Sequence, residues 1–241
     1  MSVIFWDFDG TLVKSNPLWS GSVFTALRET CAGQNNSLNV KFEDIRRYMA
    51  FGFTWHTPQN DYTAFKNEKW WEFMNRHIYK SYISLGVDSE TAAAATQKVR
   101  SIIKRTENYT LYDDAVSTLD ALKTSGNKNI ILSNNYPELI EVIRNLKLDK
   151  YFDAYVISAQ EGYDKPRKEL FEIAKSYNTN NEPMFMVGDN ANADVIGGNN
   201  AGMITVFVHN GYCKEAAYCT DTLSAIPKII SKNKAAAVHF D

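Results

Sequence analysis

Phe5-Trp6-Asp7-Phe8-Asp9-Gly10-Thr11-Leu12 decides how this chain is read: an apolar run closes on two carboxylates two residues apart, and a glycine follows. In an extended segment residues i and i+2 project to the same side, so Asp7 and Asp9 approach one point if the strand persists to its end. Gly10 then lets the backbone turn sharply. An isolated Asp-x-Asp is most often an acidic strand-to-helix loop, here with Thr11 as a cap. The longer match Asp-x-Asp-Gly-Thr should arise by chance in only about a few chains per thousand of this length. Two carboxylates that close repel, so they need a cation between them or a proton on one.

Working outward, the same arrangement recurs. Asn129-Ile130-Ile131-Leu132 ends in Ser133-Asn134-Asn135, Asp164-Lys165-Pro166 comes next, and Met184-Phe185-Met186-Val187 ends in Gly188-Asp189-Asn190-Ala191-Asn192-Ala193-Asp194. Each polar group borders a buried-strand pattern, where open parallel sheets keep their ligand sites. From residue 108 onward helices alternate with apolar runs: 115–124 then 130–132, 137–146 then 154–158, 166–177 then 184–187, and 192–201 then 203–208, with a closing helix over 223–231. That alternation predicts a parallel sheet with crossover helices. Residues 16–107 read as helical instead. Trp71, Met74, Ile78, Tyr82 and Leu85 recur at helix spacing, and Asp88-Ser89-Glu90 opens an alanine-rich helix toward Ile103. The expected architecture is α/β: a doubly wound, Rossmann-like parallel-sheet core from residues 1–15 and 108–241, with an α-helical domain over 16–107 inserted after the first strand.

Composition bounds the function. The 241 residues, 44% hydrophobic and 22% charged, suit an ordinary globular protein able to bury a substantial core. A net charge of −2 offers no basic stripe for a nucleic-acid backbone. No apolar run reaches membrane-span length, and the first strand begins almost at the N-terminus, so a cytoplasmic protein with no membrane or nucleic-acid partner is expected. Cys31, Cys213 and Cys219 are scattered and expected to be reduced. His56, His77, His209 and His239 show no metal-ligand spacing.

Taken together, the Asp7-Phe8-Asp9-Gly10-Thr11-Leu12 start, the strand-end Ser133, Lys165, and the stretch Gly188 to Asp194 resemble, in order, the four motifs of the haloacid dehalogenase superfamily of phosphohydrolases. The resemblance implies an inserted helical cap over the active site. It also implies roles. Asp7 would attack phosphorus and form an aspartyl-phosphate, and Asp9 would protonate the leaving alcohol and then deprotonate water. Mg2+ would be held by the Asp7 carboxylate, the Asp9 main-chain carbonyl and Asp189, with Asp194 orienting metal-bound waters or Lys165. Ser133 would hydrogen-bond a phosphoryl oxygen, Lys165 would balance negative charge, and main-chain donors at Phe8 and Asn134 would assist. Members that remove halogen from carbon typically lack the second aspartate, so Asp9 disfavours dehalogenation. Many relatives read Lys-Pro-Asp-Pro where this chain has Lys165-Pro166-Arg167-Lys168, a departure that leaves the lysine in place.

Within the insert, Phe51-Gly52-Phe53-Thr54-Trp55-His56-Thr57-Pro58 breaks the helical pattern. Trp55 and His56 either stack on or hydrogen-bond a substrate, with Arg46 or Arg47 reading an anionic group, or they simply pack the insert. Lys14 either reaches the substrate or is solvated. The expected activity is a magnesium-dependent phosphatase acting on a small phosphorylated metabolite as a monomer or homodimer; a phosphomutase and a non-catalytic phosphate-binding protein are the alternatives.

Overall fold

A computed structural model describes residues 1–32 and 39–237, so His239 lies outside the described residues. The strand expected before Asp7 is β1 (Val3–Trp6), buried along its whole length. Alternation explains how a strand can be apolar throughout. Val3 and Phe5 join one cluster with Ile130, Leu132 and Phe171, whereas Ile4 and Trp6 join another with Leu119, Ile131 and Ile226. Each large apolar side chain so removed from water contributes about 1.5–3 kcal/mol, which makes β1 the spine of the sheet.

After β1 the chain builds four helices, α1 (Leu18–Cys31), α2 (Phe42–Tyr48), α3 (Glu68–Ser84) and α4 (Ser89–Ile103), with no strand among the described residues of this stretch. A stripe on α3 buries Trp70, Trp71, Met74, Ile78 and Tyr82. Asp88 caps α4 by accepting from the Thr91 N–H at 2.9 Å. Buried Ala26 on α1 faces a helix carrying buried Ala92 and Ala95, and these small residues let α1 and α4 pack closely. The Tyr82 hydroxyl pins α3 to α1 by donating to the Val23 carbonyl at 2.6 Å.

The two crossings between this helical layer and the sheet run side by side. Val13 pairs with Leu111, the Lys14 N–H donates to the Thr110 carbonyl at 2.7 Å, and the Tyr112 N–H donates to the Leu12 carbonyl at 3.0 Å. Glu138 ties the layers again, accepting from Trp71 Nε1 and Arg100 Nε, each at 2.7 Å.

The remaining elements follow, alternating except where two helices precede β4 and two strands precede the last helix: α5 (Ala115–Thr124), β2 (Lys128–Ser133), α6 (Leu139–Asn145), β3 (Ala154–Ile157), α7 (Ser158–Glu161), α8 (Lys168–Lys175), β4 (Met184–Gly188), α9 (Gly197–Asn200), β5 (Ile204–Val208), β6 (Tyr218–Thr220) and α10 (Ile226–Ala237). The strands lie in the order β3-β2-β1-β4-β5-β6 and every pairing is parallel. This is the doubly wound α/β sheet, and its winding reverses between β1 and β4. At such a reversal a crevice opens outside the carboxyl ends of the strands.

Two elements depart from expectation. β6 is a partly exposed edge strand of three residues, too short to carry an apolar pattern. The helix expected over 192–201 starts instead as a widened π-type turn, Ala191–Ile196, before passing into α9. There the Asn190 side chain accepts from the N–H groups of Asn192 at 3.0 Å and Ala193 at 2.9 Å, local competition that displaces regular helix bonding.

Candidate active site

β1 stays extended past its last residue, because the Asp7 N–H donates to the Val187 carbonyl of β4 at 2.9 Å. Gly10 supplies the turn with φ of +81°, and a Cβ there would stand 2.3 Å from Asp189 Oδ2. Only glycine lets the β1 loop and the β4 loop come that near. Gly188 does the same for Asp194, whose Oδ2 would meet a Cβ at 2.1 Å.

The ends of β1 and β4, and Lys165 from the loop before α8, converge here. Lys165 is 1% exposed, and its Nζ lies 3.1 Å from Asp7 Oδ1 and 2.6 Å from Asp194 Oδ1 while donating to the Leu132 carbonyl at 2.8 Å. Burial works against the ammonium charge, but Asp194 and Asp7 outweigh it and hold Lys165 above the ordinary lysine range. Asp194 is buried as well. Burial pushes its carboxyl upward, yet its oxygens accept from Lys165 Nζ and from the Asn190 N–H at 3.0 Å, and the pair stands as an ion pair. Asp7, Asp189 and Asp194 each offer a carboxylate oxygen within 4.8 Å of the others. Such an all-oxygen set fits a small hard cation.

Asp189 accepts from the Thr11 hydroxyl at 3.0 Å, and Asn210 Nδ2 donates to its carbonyl at 2.9 Å. Burial first, and then the charge of Asp7, push its carboxyl up to about 6. Asp9 points to the mouth of the crevice. Its protein surroundings and then Asp7 push it up to about 7, against an Asn135 Nδ2 hydrogen bond of 2.6 Å that favours the charged form. The residue keeps a face open to solvent, which tempers the shift without reversing it. Ser133, at the end of β2, is 1% exposed and its hydroxyl has no partner among the described residues. A buried hydroxyl left unbonded is costly.

Of the expected site residues, the core set Asp7, Asp9, Ser133, Lys165, Asp189 and Asp194 thus gathers on one edge of the sheet. Asn134 lines the cleft above Asp9, and its side chain does a job the sequence did not suggest: it accepts from the Lys165 N–H at 2.7 Å and donates to the Lys165 carbonyl at 3.0 Å. Trp55 also lines the cleft, but His56 does not; it is exposed and edge-on to Phe53. Arg47 is separated from the site, opening on a different depression with Asp44, Tyr48, Phe51 and Leu85. Lys14 turns to Asp113 at 3.4 Å. The three cysteines are free.

Residues the sequence reading missed are Asn135, Thr11 and His209. The His209 ring stacks on Tyr112 with centroids 3.6 Å apart and 6° between planes, and its Nε2 and Nδ1 sit 3.0 Å and 3.2 Å from the carbonyls of Thr11 and Asp221. Its φ of +65° marks a strained backbone held by those contacts. No helix among the described residues is long and apolar enough to cross a membrane.

The model of the haloacid dehalogenase-like hydrolases matches residues 1–202. The chain is 36% identical over 121 residues to pyrimidine 5'-nucleotidase YjjG of Escherichia coli (strain K12), covering 48% of this chain and 53% of that protein. It is 32% identical over 123 residues to glyceraldehyde 3-phosphate phosphatase of Pyrococcus furiosus, covering 48% and 51% respectively. The matched stretch spans about half the length of these curated relatives. Its fold is similar to that of a HAD phosphatase from Thermococcus onnurineus, with a TM-score of 0.67 and 21% identity over 95% of this chain and 98% of that one.

Proposed function

Because the chain belongs to the haloacid dehalogenase-like hydrolases, we propose that it is a magnesium-dependent phosphatase that hydrolyses a small phosphorylated metabolite through an aspartyl-phosphate on Asp7. The observation that carries this reading is that Lys165 Nζ stands 3.1 Å from Asp7, with the partnerless buried hydroxyl of Ser133 at the end of the neighbouring strand β2. One carboxylate is thereby kept beside a fixed positive charge, which suits an anionic phosphoryl group.

In the proposed cycle an Asp7 oxygen attacks phosphorus, and the bond from phosphorus to the leaving oxygen breaks. Asp9, whose raised carboxyl holds a proton near neutral pH, gives that proton to the departing alcohol. Asp9 is then a carboxylate and takes a proton from the water that attacks the aspartyl-phosphate, releasing phosphate and restoring Asp7. Asn135 holds Asp9 in reach of both partners. Ser133 and Lys165 act on the phosphoryl oxygens, while Asp194, Asn134 and the Leu132 carbonyl orient Lys165. Mg2+ would be held by the carboxylates of Asp7 and Asp189 and the main-chain carbonyl of Asp9, and bound there it would supply neutralisation of the crowded negative charge. Residues 16–107 form a cap in this reading, over a core of 1–15 and 108–241, and a cap excludes water from the reacting centre.

Phosphate release from a panel of phosphomonoesters, with and without Mg2+ and beside an Asp7→Asn control, tests the assignment. Release that needs both Mg2+ and Asp7 is expected. Equal activity of the native and Asp7→Asn proteins would overturn it.

A further inference from the structure

The cleft above Asp9 has a volume of about 330 Å3, and its floor is Asp9 and Asn134 while its walls include Trp19, Met49 and Trp55. Trp19 and Trp55 are partly exposed there, and on their other sides they are wedged among aromatic rings. Trp19 lies 4.8 Å from Phe53 and 5.8 Å from Trp70 between centroids, and Trp55 stacks on Phe53 at 4.6 Å with 12° between planes. The two indoles are themselves 6.2 Å and 50° apart, too near to admit a ring between them, so they act as adjoining panels of one wall. Their conformational freedom is already spent in the folded protein, which lowers the entropy lost when a flat group lands on them.

Charge narrows the ligand further. Among the described residues, none that lines this cleft is Lys, Arg or His, whereas its floor carries the Asp9 carboxyl. The nearby cations are engaged elsewhere. Lys165 is sealed beneath between Asp7 and Asp194, and Lys14 turns to Asp113. Arg46 lies not in the cleft but in the adjoining outer chamber, which shares Ser15, Asn16, Pro17, Ser20 and Met49 with it, and there it stands 3.7 Å from Glu43. A second phosphate or carboxylate on the substrate would enter the cleft without a counter-charge and beside an acid. Neutral polar atoms are available instead, from Ser15, Asn16 and Ser20.

From this wall and this absence of cations we infer that the cleft is a leaving-group subsite for uncharged alcohols bearing a flat ring, of nucleoside type, and that it rejects phosphomonoesters carrying a second anionic group. The inference rests on the phosphatase reading above and names the substrate class of that site.

The test compares kcat/KM of the full chain with Mg2+ on uridine 5'-monophosphate, 4-nitrophenyl phosphate, glycerol 3-phosphate and 2-phosphoglycolate. The two flat-ringed esters are expected to exceed glycerol 3-phosphate by about tenfold and 2-phosphoglycolate by about a hundredfold. Trp55→Ala should shrink the ratio of uridine 5'-monophosphate to glycerol 3-phosphate several-fold, and Trp55→Phe, which keeps a ring, should restore most of it. Ser15→Arg changes an exposed position, so it reads the charge argument independently of Trp55; it should narrow the gap to 2-phosphoglycolate by about tenfold. If no ester is hydrolysed above the Asp7→Asn background, the phosphatase reading falls first. If all four are hydrolysed at similar kcat/KM, or the ratios are the same in the variants, turnover stands and the subsite is overturned.

Discussion

The carboxyl edge of the sheet and the helical layer beside it are held together by opposite means. At the edge, Asp7, Asp9, Asp189 and Asp194 crowd around one ammonium, and their mutual repulsion is a standing cost that the Lys165 ion pairs and the surrounding hydrogen bonds offset. In the helical layer, Trp19, Phe53, Trp70 and Trp71 fill space against one another, and the Trp71 indole N–H is matched to Glu138 across the boundary. One region stores strain for chemistry and the other supplies cohesion and shape, so substitutions should separate turnover from stability along the same boundary.

The sharpest separation is Asp7→Asn: phosphate release is expected to fall by about 10³-fold or more, with the circular dichroism spectrum unchanged. Lys165→Met should break the rule by damaging both properties. Removing one partner of a buried pair leaves Asp194 uncompensated, at a cost of about 3–5 kcal/mol by denaturant titration, and turnover should vanish with it. His209→Ala should lower kcat by about tenfold, with KM nearly constant, because it releases the Thr11 loop and not a substrate contact; His209→Gln, which keeps one hydrogen bond, should recover part of the loss.

Acidity gives a smaller and more diagnostic effect. Asp9 and Asp189 have folded values of about 7 and about 6 against an ordinary 3.8, so between about pH 4 and 7 the folded chain binds protons that the unfolded chain has released. Stability of the metal-free protein therefore falls as pH rises through that window. His56, largely exposed but lowered where the protein covers one side and by His77, works in the opposite direction and only partly offsets it. Melting in EDTA at pH 7.5 should come a few degrees below melting at pH 5.5, roughly the 2–4 °C that one kcal/mol moves a domain of this size, and Mg2+ should restore it. A higher melting temperature at pH 7.5 without metal would count against the crowded-acid description. The smallest effect belongs to the layer boundary. Tyr136→Phe removes the 2.6 Å bond between the Tyr109 and Tyr136 hydroxyls and should cost about 1 kcal/mol, with turnover close to the native value.

What the sequence made legible follows the same division. Asp7, Ser133 and Asp189 each stand at or beside the end of an apolar run, and a parallel sheet must bring such ends to one edge, so their convergence follows from pattern; Lys165, which comes in on the loop between α7 and α8, was legible only through the resemblance of the motifs. Asn135 sits two residues beyond Ser133 and Thr11 four beyond Asp7, where only the actual turn decides which side chain faces inward. His209 was hidden for another reason: its partners, Thr11 and Asp221, are joined to it through main-chain carbonyls, which leave no trace in residue type. In the helical layer the periodic stripe of α3 was readable, but the direction of Arg47 was not. A one-residue step along α2 turns a side chain by about 100°, and it sends Arg46 to the outer chamber and Arg47 to a separate depression.

The adjacency of Val13 and Leu111 has an architectural consequence. A segment whose two ends emerge from the sheet as neighbours can be exchanged for a longer, shorter or differently folded one without tearing β1 from β2, in the manner of an interchangeable tool on a fixed handle. Grafting another insert between those two positions would leave the acid cluster where it is and alter only what is presented to it.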